Sequence, residues 1–185
     1  MHHGVLILFA MLILEDKVGS AATDPLRSLV ETSAQRLQIA EKVALSKWHS
    51  GAPVEDATRE SEVIQKAVED GTNVGLAPAE VEEFFKAQIE ANKLIQYSLL
   101  AKWHRDGRAP ENAPIDLTKE IRPKLDEIEN RLIQELKQSA AARSATSCPV
   151  DVAKAVGEYL DSHNSDADSR DGVALDRAMA SVCVR

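Results

Sequence analysis

Long segments in which apolar residues recur every three or four positions constrain this chain more than any other feature. Between residues 24 and 49, apolar or small side chains recur at that spacing from Leu26 to Trp48, and residues 78–104 repeat the pattern from Val81 to Trp103. Side chains at this spacing lie on one face of an α-helix, whereas the residues of a strand alternate at every second position. Because there is no convincing alternating run, the sequence predicts an all-α fold.

Prolines, glycines and short polar runs divide the chain into about six predicted helices. Asp24 and Pro25 form a helix start, since the aspartate can cap the first turn and the proline fits inside it. Pro123 is unfavourable inside a helix, so the fourth helix is expected to begin near Arg122 or to kink there. The second helix is expected to end at the Asp-Gly-Thr-Asn run, 70–73. The predicted ranges are about 24–49, 54–70, 78–104, 117–143, 149–162 and 172–183.

Length and charge limit the architecture and the kind of ligand. A chain of 185 residues can bury one sizeable core, so we predict a single-domain helical bundle. The formal net charge is −8, and nucleic-acid binding needs a broad cationic surface, so we predict no nucleic-acid partner. A small anion needs only a few local cations. The apolar run at 5–14 is too short to span a bilayer, so no membrane span is expected.

The first 22 residues are predicted to be a signal peptide or its remnant. The apolar run at 5–14 has the length of a signal-peptide core, and small residues follow it at 19–22, where a signal peptidase could cut. Two features oppose this prediction: no Lys or Arg precedes the run, and Glu15-Asp16-Lys17 is highly charged. The alternative is an altered start site or a cloning remnant. We favour a periplasmic or secreted protein whose mature domain is 23–185.

Two cysteines, Cys148 and Cys183, enclose the C-terminal segment of the chain. Neither belongs to a Cys-x-x-Cys pair or has a histidine at metal-binding spacing, so no metal site is predicted there. In an oxidising compartment they would form one disulfide that closes a loop of about 35 residues, worth roughly 3–4 kcal/mol. The alternative is a pair of unrelated buried thiols.

Cationic side chains lie on or beside the apolar stripe of the first predicted helix. Arg36 and Lys47 are eleven residues apart, about three helical turns, and therefore share a face with Ala40 and Val43. A buried charge needs a partner, so each cation either binds an anion or lays its stem along the core with its head in water. Arg59 follows twelve residues after Lys47 and adds a third cation.

Three amides, Gln88, Asn92 and Gln96, step by four along an otherwise apolar face of the third predicted helix. An unsatisfied buried amide costs about 1–3 kcal/mol, so these groups are expected to have partners. The backbone of another helix can serve Gln88, whereas Asn92 and Gln96 are expected to face a ligand beside the cations. The sequence shows no evident nucleophile–base pair, metal site or phosphate-binding loop. It therefore predicts a site for a small dianion that reacts without acid–base chemistry, metal or cofactor.

The order and spacing of the polar residues resemble the helical (AroQ) class of chorismate mutases. The residues that carry this resemblance are Arg36, Lys47, Asp56, Arg59, Glu60, Asn92 and Gln96. It covers about residues 24–136, and the export-like start and the cysteine pair resemble the secreted, gamma subclass. The resemblance implies a chorismate mutase II-like bundle over 23–185, with 148–183 as a disulfide-closed helical C-terminal part.

The resemblance also implies a fourth cation from the same chain. Compact members of the class take an arginine from the N-terminal helix of the other subunit, and the corresponding position here is Gly19. The secreted subclass supplies this cation from a later helix of the same chain, and Arg122 occupies the matching place. A complete site within one subunit is therefore implied, and we expect a homodimer.

The implied activity is the rearrangement of chorismate to prephenate, which needs neither proton transfer nor a cofactor. Arg36, Arg59 and Arg122 would bind the two carboxylates of chorismate, because a guanidinium group suits a carboxylate. Lys47 and Gln96 would donate hydrogen bonds to the ether oxygen, on which negative charge develops.

The remaining roles implied by the resemblance concern the ring of chorismate. Glu60 and the segment around Asp56 would receive the ring hydroxyl, and Asn92 stands where the family usually has a small hydroxyl residue. The alternative function is a non-catalytic exported helical protein that binds a small anionic ligand. This alternative explains the helices and the disulfide, but it does not explain the full set of spacings between the polar residues.

Overall fold

The computed structural model describes residues 24–111, 116–167 and 169–184, and every regular element in these ranges is a helix. The prediction of an all-α fold is therefore confirmed. In chain order the α-helices are α1 (Pro25–Gln38), α2 (Ala40–Ser50), α3 (Ala57–Asn73), α4 (Pro78–Asp106), α5 (Arg122–Gln138), α6 (Ala140–Arg143), α7 (Cys148–Ser162) and α8 (Arg170–Met179). The predicted export segment, 1–22, lies outside the described residues. Within the described ranges, no helix is both long and apolar enough to cross a membrane.

The first predicted helix is in fact two consecutive helices, α1 and α2, separated at Ile39. The N–H of Ile39 donates to the carbonyl of Arg36 at 3.3 Å, three residues back rather than four, so the chain tightens for one residue. The predicted cap is present, since the Asp24 carboxylate accepts from the N–H of Leu26 at 3.0 Å. Gly51 ends α2 with a φ of +70°, a conformation that glycine adopts without strain.

The second predicted helix does not end at Gly71, and α3 continues to Asn73. Gly71 is buried where α3 approaches α4, and a Cβ atom built there would lie 2.7 Å from a methyl group of Val81. The glycine therefore allows close packing of two helices and does not terminate one. The end of α3 comes two residues later, where the N–H of Leu76 bonds to the carbonyl of Gly71 at 3.0 Å.

The central helix is α4, which packs against α2, α3 and α8, while α1 packs against α5 and α7. Its buried face includes Phe84 and Phe85, whose rings meet edge to face with centroids 5.5 Å apart, and Trp103 near its C-terminal end. Three amides interrupt this apolar face, as the sequence predicted. Gln88 donates to the hydroxyl of Ser33 at 2.9 Å and to the carbonyl of Ala178 at 3.2 Å, so it joins three helices.

Pro123, which is unfavourable inside a helix, lies at a helix start in the structure. A π-helical turn, Leu117–Ile121, precedes α5, which begins at Arg122 and holds Pro123 in its first turn. Proline is tolerated there because that position needs no intrahelical N–H donor. The Asp116 carboxylate caps the π-helical turn by accepting from the N–H groups of Thr118 and Lys119 at 2.9 and 3.0 Å.

The C-terminal part folds back onto α1 and α4 through α7 and α8. Cys148 and Cys183 form a disulfide with a Cα–Cα distance of 5.9 Å. The last helix ends at Met179, four residues before the end predicted from sequence, so Cys183 lies after the helix. The buried Arg143 forms an ion pair with Glu80 and donates to the carbonyl of Val182 at 3.3 Å, which ties this end to α4.

Candidate active site

A cavity of about 180 Å³ lies between α1, α2, α3, α4, the π-helical turn and α5. The structure brings all eight non-cysteine residues of the predicted site to its wall. They are Arg36, Lys47, Asp56, Arg59, Glu60, Asn92, Gln96 and Arg122. These residues come from five helices, α1 to α5, and from the loop before α3, so residues that are distant in sequence form one surface only through the fold.

Arg36 is the most deeply buried cation of the cavity, with 7% of its surface exposed. One guanidinium nitrogen, Nη1, donates to the carbonyl of Gln88 at 2.8 Å. Burial lowers the pKa of Arg36 to about 10, and the nearby charge of Glu129 opposes that shift. Arg36 therefore stays protonated at neutral pH, with donors left over for an anionic ligand.

Lys47 lies in the last turn of α2 and is half-buried beside the same cavity. Its ammonium group donates to the carbonyl of Val54 at 2.6 Å, which joins the end of α2 to the loop before α3. Burial lowers the pKa of Lys47, while the charges of Asp56 and Glu60 raise it and that of Lys93 lowers it further. The hydrogen bond fixes the ammonium group at the cavity wall, which is the preorganisation that an electrostatic donor needs.

A chain of amides connects α4 to the backbone of α1. Asn92 Nδ2 donates to the carbonyl of Arg36 at 3.4 Å, and Gln96 Nε2 donates to Asn92 Oδ1 at 2.7 Å. Because a backbone carbonyl can only accept, this bond sets the orientation of the Asn92 amide, which in turn directs the nitrogen of Gln96 toward it. That nitrogen carries a second hydrogen, and Gln96 Oε1 is buried without a hydrogen-bond partner.

The start of α3 places an acidic and a basic group at the cavity. The Asp56 carboxylate accepts from the N–H of Arg59 at 3.1 Å and so caps the helix, while Glu60 Oε1 accepts from the N–H of Asp56 at 3.2 Å. The Arg59 side chain is 34% exposed and pairs with Glu62 at 3.3 Å. Arg59 is therefore a rim cation, and Asp56 has a structural task at the helix start as well as its place in the cavity wall.

Arg122 lies at the first position of α5, directly after the π-helical turn, and is exposed at the rim. The π-helical turn at Leu117–Ile121 also lines the cavity and leads directly into α5, so it places Arg122 in the cavity wall. Arg122, which was predicted only from the family resemblance, therefore lies in the same cavity wall as Arg36, Lys47 and Arg59.

Sequence reasoning missed three charged residues of the cavity, Lys93, Asp126 and Glu129. Lys93 Nζ pairs with Glu60 at 3.2 Å and with Glu90 at 2.7 Å, so it holds one oxygen of Glu60. Glu129 is a buried carboxylate on α5. A sequence signal for Glu129 existed, since it lies four residues after Leu125 and so on the apolar stripe of that helix.

The arrangement can bind a small molecule with two carboxylates through several fixed donors. Arginine forks suit carboxylates, and an ammonium group beside an amide N–H can stabilise charge that develops on a third oxygen. Among the described residues, no group of His, Cys, Asp and Glu has the geometry of a metal site.

Comparison with known proteins gives consistent results. Residues 27–97 match the chorismate mutase type II family. The chain is 33% identical over 160 residues to the secreted chorismate mutase of Mycolicibacterium smegmatis, covering 86% of each protein. It is 33% identical over 142 residues to the monofunctional chorismate mutase of Enterobacter agglomerans, covering 75% of this chain and 76% of that protein. The crystal structure of chorismate mutase from Burkholderia phymatum matches with a TM-score of 0.83 and 40% identity, over 88% of this chain and 98% of that one.

Proposed function

This chain belongs to the chorismate mutase type II family, and we propose that it rearranges chorismate to prephenate within the cavity between helices α1 to α5. The observation that carries this proposal is the convergence of eight predicted residues from separate segments on one cavity. The reaction is an intramolecular rearrangement, so it needs no nucleophile and no external proton. Family membership favours catalysis over the alternative of a non-catalytic binding protein.

The first task of the site is to hold chorismate in a compact conformation. Positioning of the two reacting ends can supply a large part of the rate enhancement of an intramolecular reaction. Arg36 binds one carboxylate from the buried end of the cavity, and Arg59 and Arg122 bind the other from the rim. Because the buried and the exposed cations lie on different helices, the fold sets the distance between the two carboxylates.

The second task is to stabilise the negative charge that develops on the ether oxygen as the C–O bond breaks. Lys47 donates from the end of α2 and Gln96 donates from α4 with its second amide hydrogen. Both donors are fixed before the ligand arrives, by Val54 and by Asn92 respectively, so little reorganisation is needed in the transition state. Asn92 thus acts through Gln96, which gives a reason for an amide at position 92.

Glu60 receives the ring hydroxyl of chorismate. Its two oxygens already accept from the N–H of Asp56 and from Lys93, at 3.2 Å each. An ionised carboxylate has about four acceptor positions, so Glu60 can accept a further hydroxyl without losing either bond. Asp56 contributes through its position at the start of α3 and through its backbone N–H.

The test of this site is the loss of the ultraviolet absorbance of the chorismate diene, followed with the Lys47→Ala variant and a matched control. Removal of one preorganised donor costs about 10²–10³ in kcat in other enzymes, and we expect a loss of that order. Lys42 is exposed on the same helix and outside the cavity wall. Lys42→Ala should therefore keep full activity, and equal activity of the two variants would show that the site is misassigned.

We also infer that the protein is exported, to the periplasm or the medium, and that it forms a homodimer. Two relatives with 33% and 30% identity are named secreted chorismate mutases, and the disulfide suits an oxidising compartment. Cell fractionation, with mass spectrometry of the mature N-terminus, tests export. Light scattering tests the dimer. Since all the proposed site residues come from one chain, the specific activity should not depend on protein concentration.

A further inference from the structure

Glu129 is a buried carboxylate in the cavity wall to which the proposed reaction gives no role. It lies on α5 with 4% of its surface exposed. Five cations and four carboxylates line the cavity, a formal sum of +1 before any ligand binds. A carboxylate inside a site for a dianion opposes the charge of its ligand, so its presence there needs a physical reason.

Arg36 supplies that reason. Its guanidinium group is buried, and an isolated buried cation is costly. Glu129 is the acid whose charge counters the effect of burial on Arg36. No salt bridge joins these two described side chains, and the hydrogen bond of Arg36 goes to the carbonyl of Gln88. Glu129 therefore stabilises the charge of Arg36 without occupying any of its hydrogen-bond donors.

Lys66 holds Glu129 from outside the cavity. Its ammonium group pairs with Glu129 Oε1 at 3.1 Å and with Asp70 at 2.6 Å. The Lys66 side chain is 47% exposed and does not belong to the cavity wall. Because Lys66 keeps its bond to Asp70, neutralising Glu129 would not leave a lysine buried without a partner.

We propose that Glu129, held by Lys66, is a positioning residue that supports Arg36 and limits how tightly the cavity binds a dianion. The inference rests on the proposed function in that chorismate and prephenate are the dianions concerned. Substrate and product carry the same two carboxylates, so a cavity that bound them too tightly would release its product slowly. Glu129 offsets part of the cationic charge and keeps both ligands exchangeable.

The two partners can be tested with substitutions that have opposite expected effects. Glu129→Gln keeps the shape and an acceptor for Lys66 but removes the charge. The Kd of prephenate, measured by titration calorimetry, should fall by about threefold to fifteenfold. This range is the repulsion between one carboxylate of the ligand and a unit charge roughly 10 Å away, at an effective dielectric constant near 20; the lower value includes salt screening and the higher value omits it. The KM for chorismate should fall with it. Lys66→Gln removes the cation that partly neutralises Glu129. The repulsion between Glu129 and the ligand then increases, so the Kd of prephenate should rise by about twofold or more.

Matched controls separate a charge effect in the cavity from a general one. Glu135 lies on the same helix, is half-buried and accepts from the hydroxyl of Thr32 at 2.8 Å, but lies outside the cavity wall. Lys86 lies on α4, where it pairs with Glu82 and Glu83. Glu135→Gln and Lys86→Gln should leave the Kd of prephenate within about twofold of the unmodified value, because salt screens distant charges.

A purely structural role for Glu129 makes a different prediction, since both variants would then bind prephenate more weakly. Weaker or unchanged binding by Glu129→Gln, or tighter binding by Lys66→Gln, overturns the inference. If Glu129→Gln does not fold, the salt dependence of Lys66→Gln decides: a rise in the Kd of prephenate that shrinks with added salt supports a charge effect, and a rise that salt leaves unchanged overturns the inference. An unmodified protein that does not consume chorismate refutes the proposed function instead, so the two failures are distinguishable.

Discussion

Replacing Gln96 by glutamate should turn an enzyme with a flat pH profile into one that works only in acid. Gln96 is buried, and its nitrogen donates to Asn92 Oδ1 at 2.7 Å. The bond from Asn92 to the carbonyl of Arg36 fixes that oxygen toward residue 96. An ionised glutamate would face this acceptor with no hydrogen to share, and it could not donate to the ether oxygen of chorismate. Gln96→Glu therefore needs a proton to work.

The size of the effect follows from the surroundings of the side chain. Full burial raises the pKa of a carboxyl group by up to about 3–5 units, and the acceptor on Asn92 adds to that shift. Arg36 and Lys47 lie in the same cavity and lower it, so we expect a net rise of about 2–3 units from a usual value near 4.3. The apparent pKa should then be about 6.5–7, and kcat should fall about tenfold for each pH unit above it.

The same shift makes the stability of Gln96→Glu depend on pH. A carboxyl group whose pKa is higher in the folded state than in the unfolded state destabilises the protein as pH rises between the two values. A rise of about 2.5 units corresponds to roughly 3–4 kcal/mol of lost unfolding free energy at neutral pH and above, and to no loss below about pH 4. The unmodified protein lacks this contribution, because an amide does not titrate.

The assay is kcat for chorismate from mildly acidic to mildly alkaline pH, with thermal unfolding measured in the same buffers. Gln134 is exposed on α5 and lies outside the cavity wall, so Gln134→Glu is the control and should keep the flat profile. Because burial lowers the pKa of Lys47, any gradual alkaline decline caused by its deprotonation should be the same in the unmodified protein and in Gln134→Glu. A flat profile for Gln96→Glu, or a steep loss above neutral pH in the unmodified protein, would refute the reasoning.

Two further predictions concern the fold. Gly71→Ala places a methyl group against α4, so the unfolding free energy should fall by about 1–3 kcal/mol in urea denaturation. The control is Gly157→Ala, which has open space at its Cβ and should therefore show no such loss of unfolding free energy. Equal stabilities of the two variants would contradict the packing role of Gly71. Replacing Cys148 and Cys183 together by serine should cost about 2–4 kcal/mol by the same measurement. Since neither cysteine lines the cavity, KM and kcat should be unchanged at room temperature, and a large change in either would mean that the C-terminal part shapes the site.

The helical faces and the cavity were predictable because a charge or an amide on an apolar stripe is buried by folding and must then find a polar partner. Arg36 and Asn92 illustrate this, since each interrupts a stripe and each faces the cavity. The start of α5 was predictable for a local reason, because proline restricts where a helix can begin, and Pro123 lies in its first turn.

Two of the errors, at Gly71 and at Glu129, have a common cause, which is that partners across helices are set by packing and not by neighbours in sequence. Gly71 has the composition of a helix end, but its lack of a side chain serves the contact between α3 and α4. Glu129 and Lys66 are 63 residues apart, and no local pattern pairs them. Ile39 divides the first helix through a change of one hydrogen bond, which the apolar periodicity does not report.

The most direct test of the central claim is kcat/KM for chorismate in the unmodified protein and in Lys47→Ala, with the product identified by nuclear magnetic resonance. The structure predicts that the unmodified protein forms one prephenate for each chorismate consumed, and that Lys47→Ala loses about two to three orders of magnitude in kcat/KM while staying folded. No consumption of chorismate, another product, or a folded Lys47→Ala variant with full activity would contradict the account.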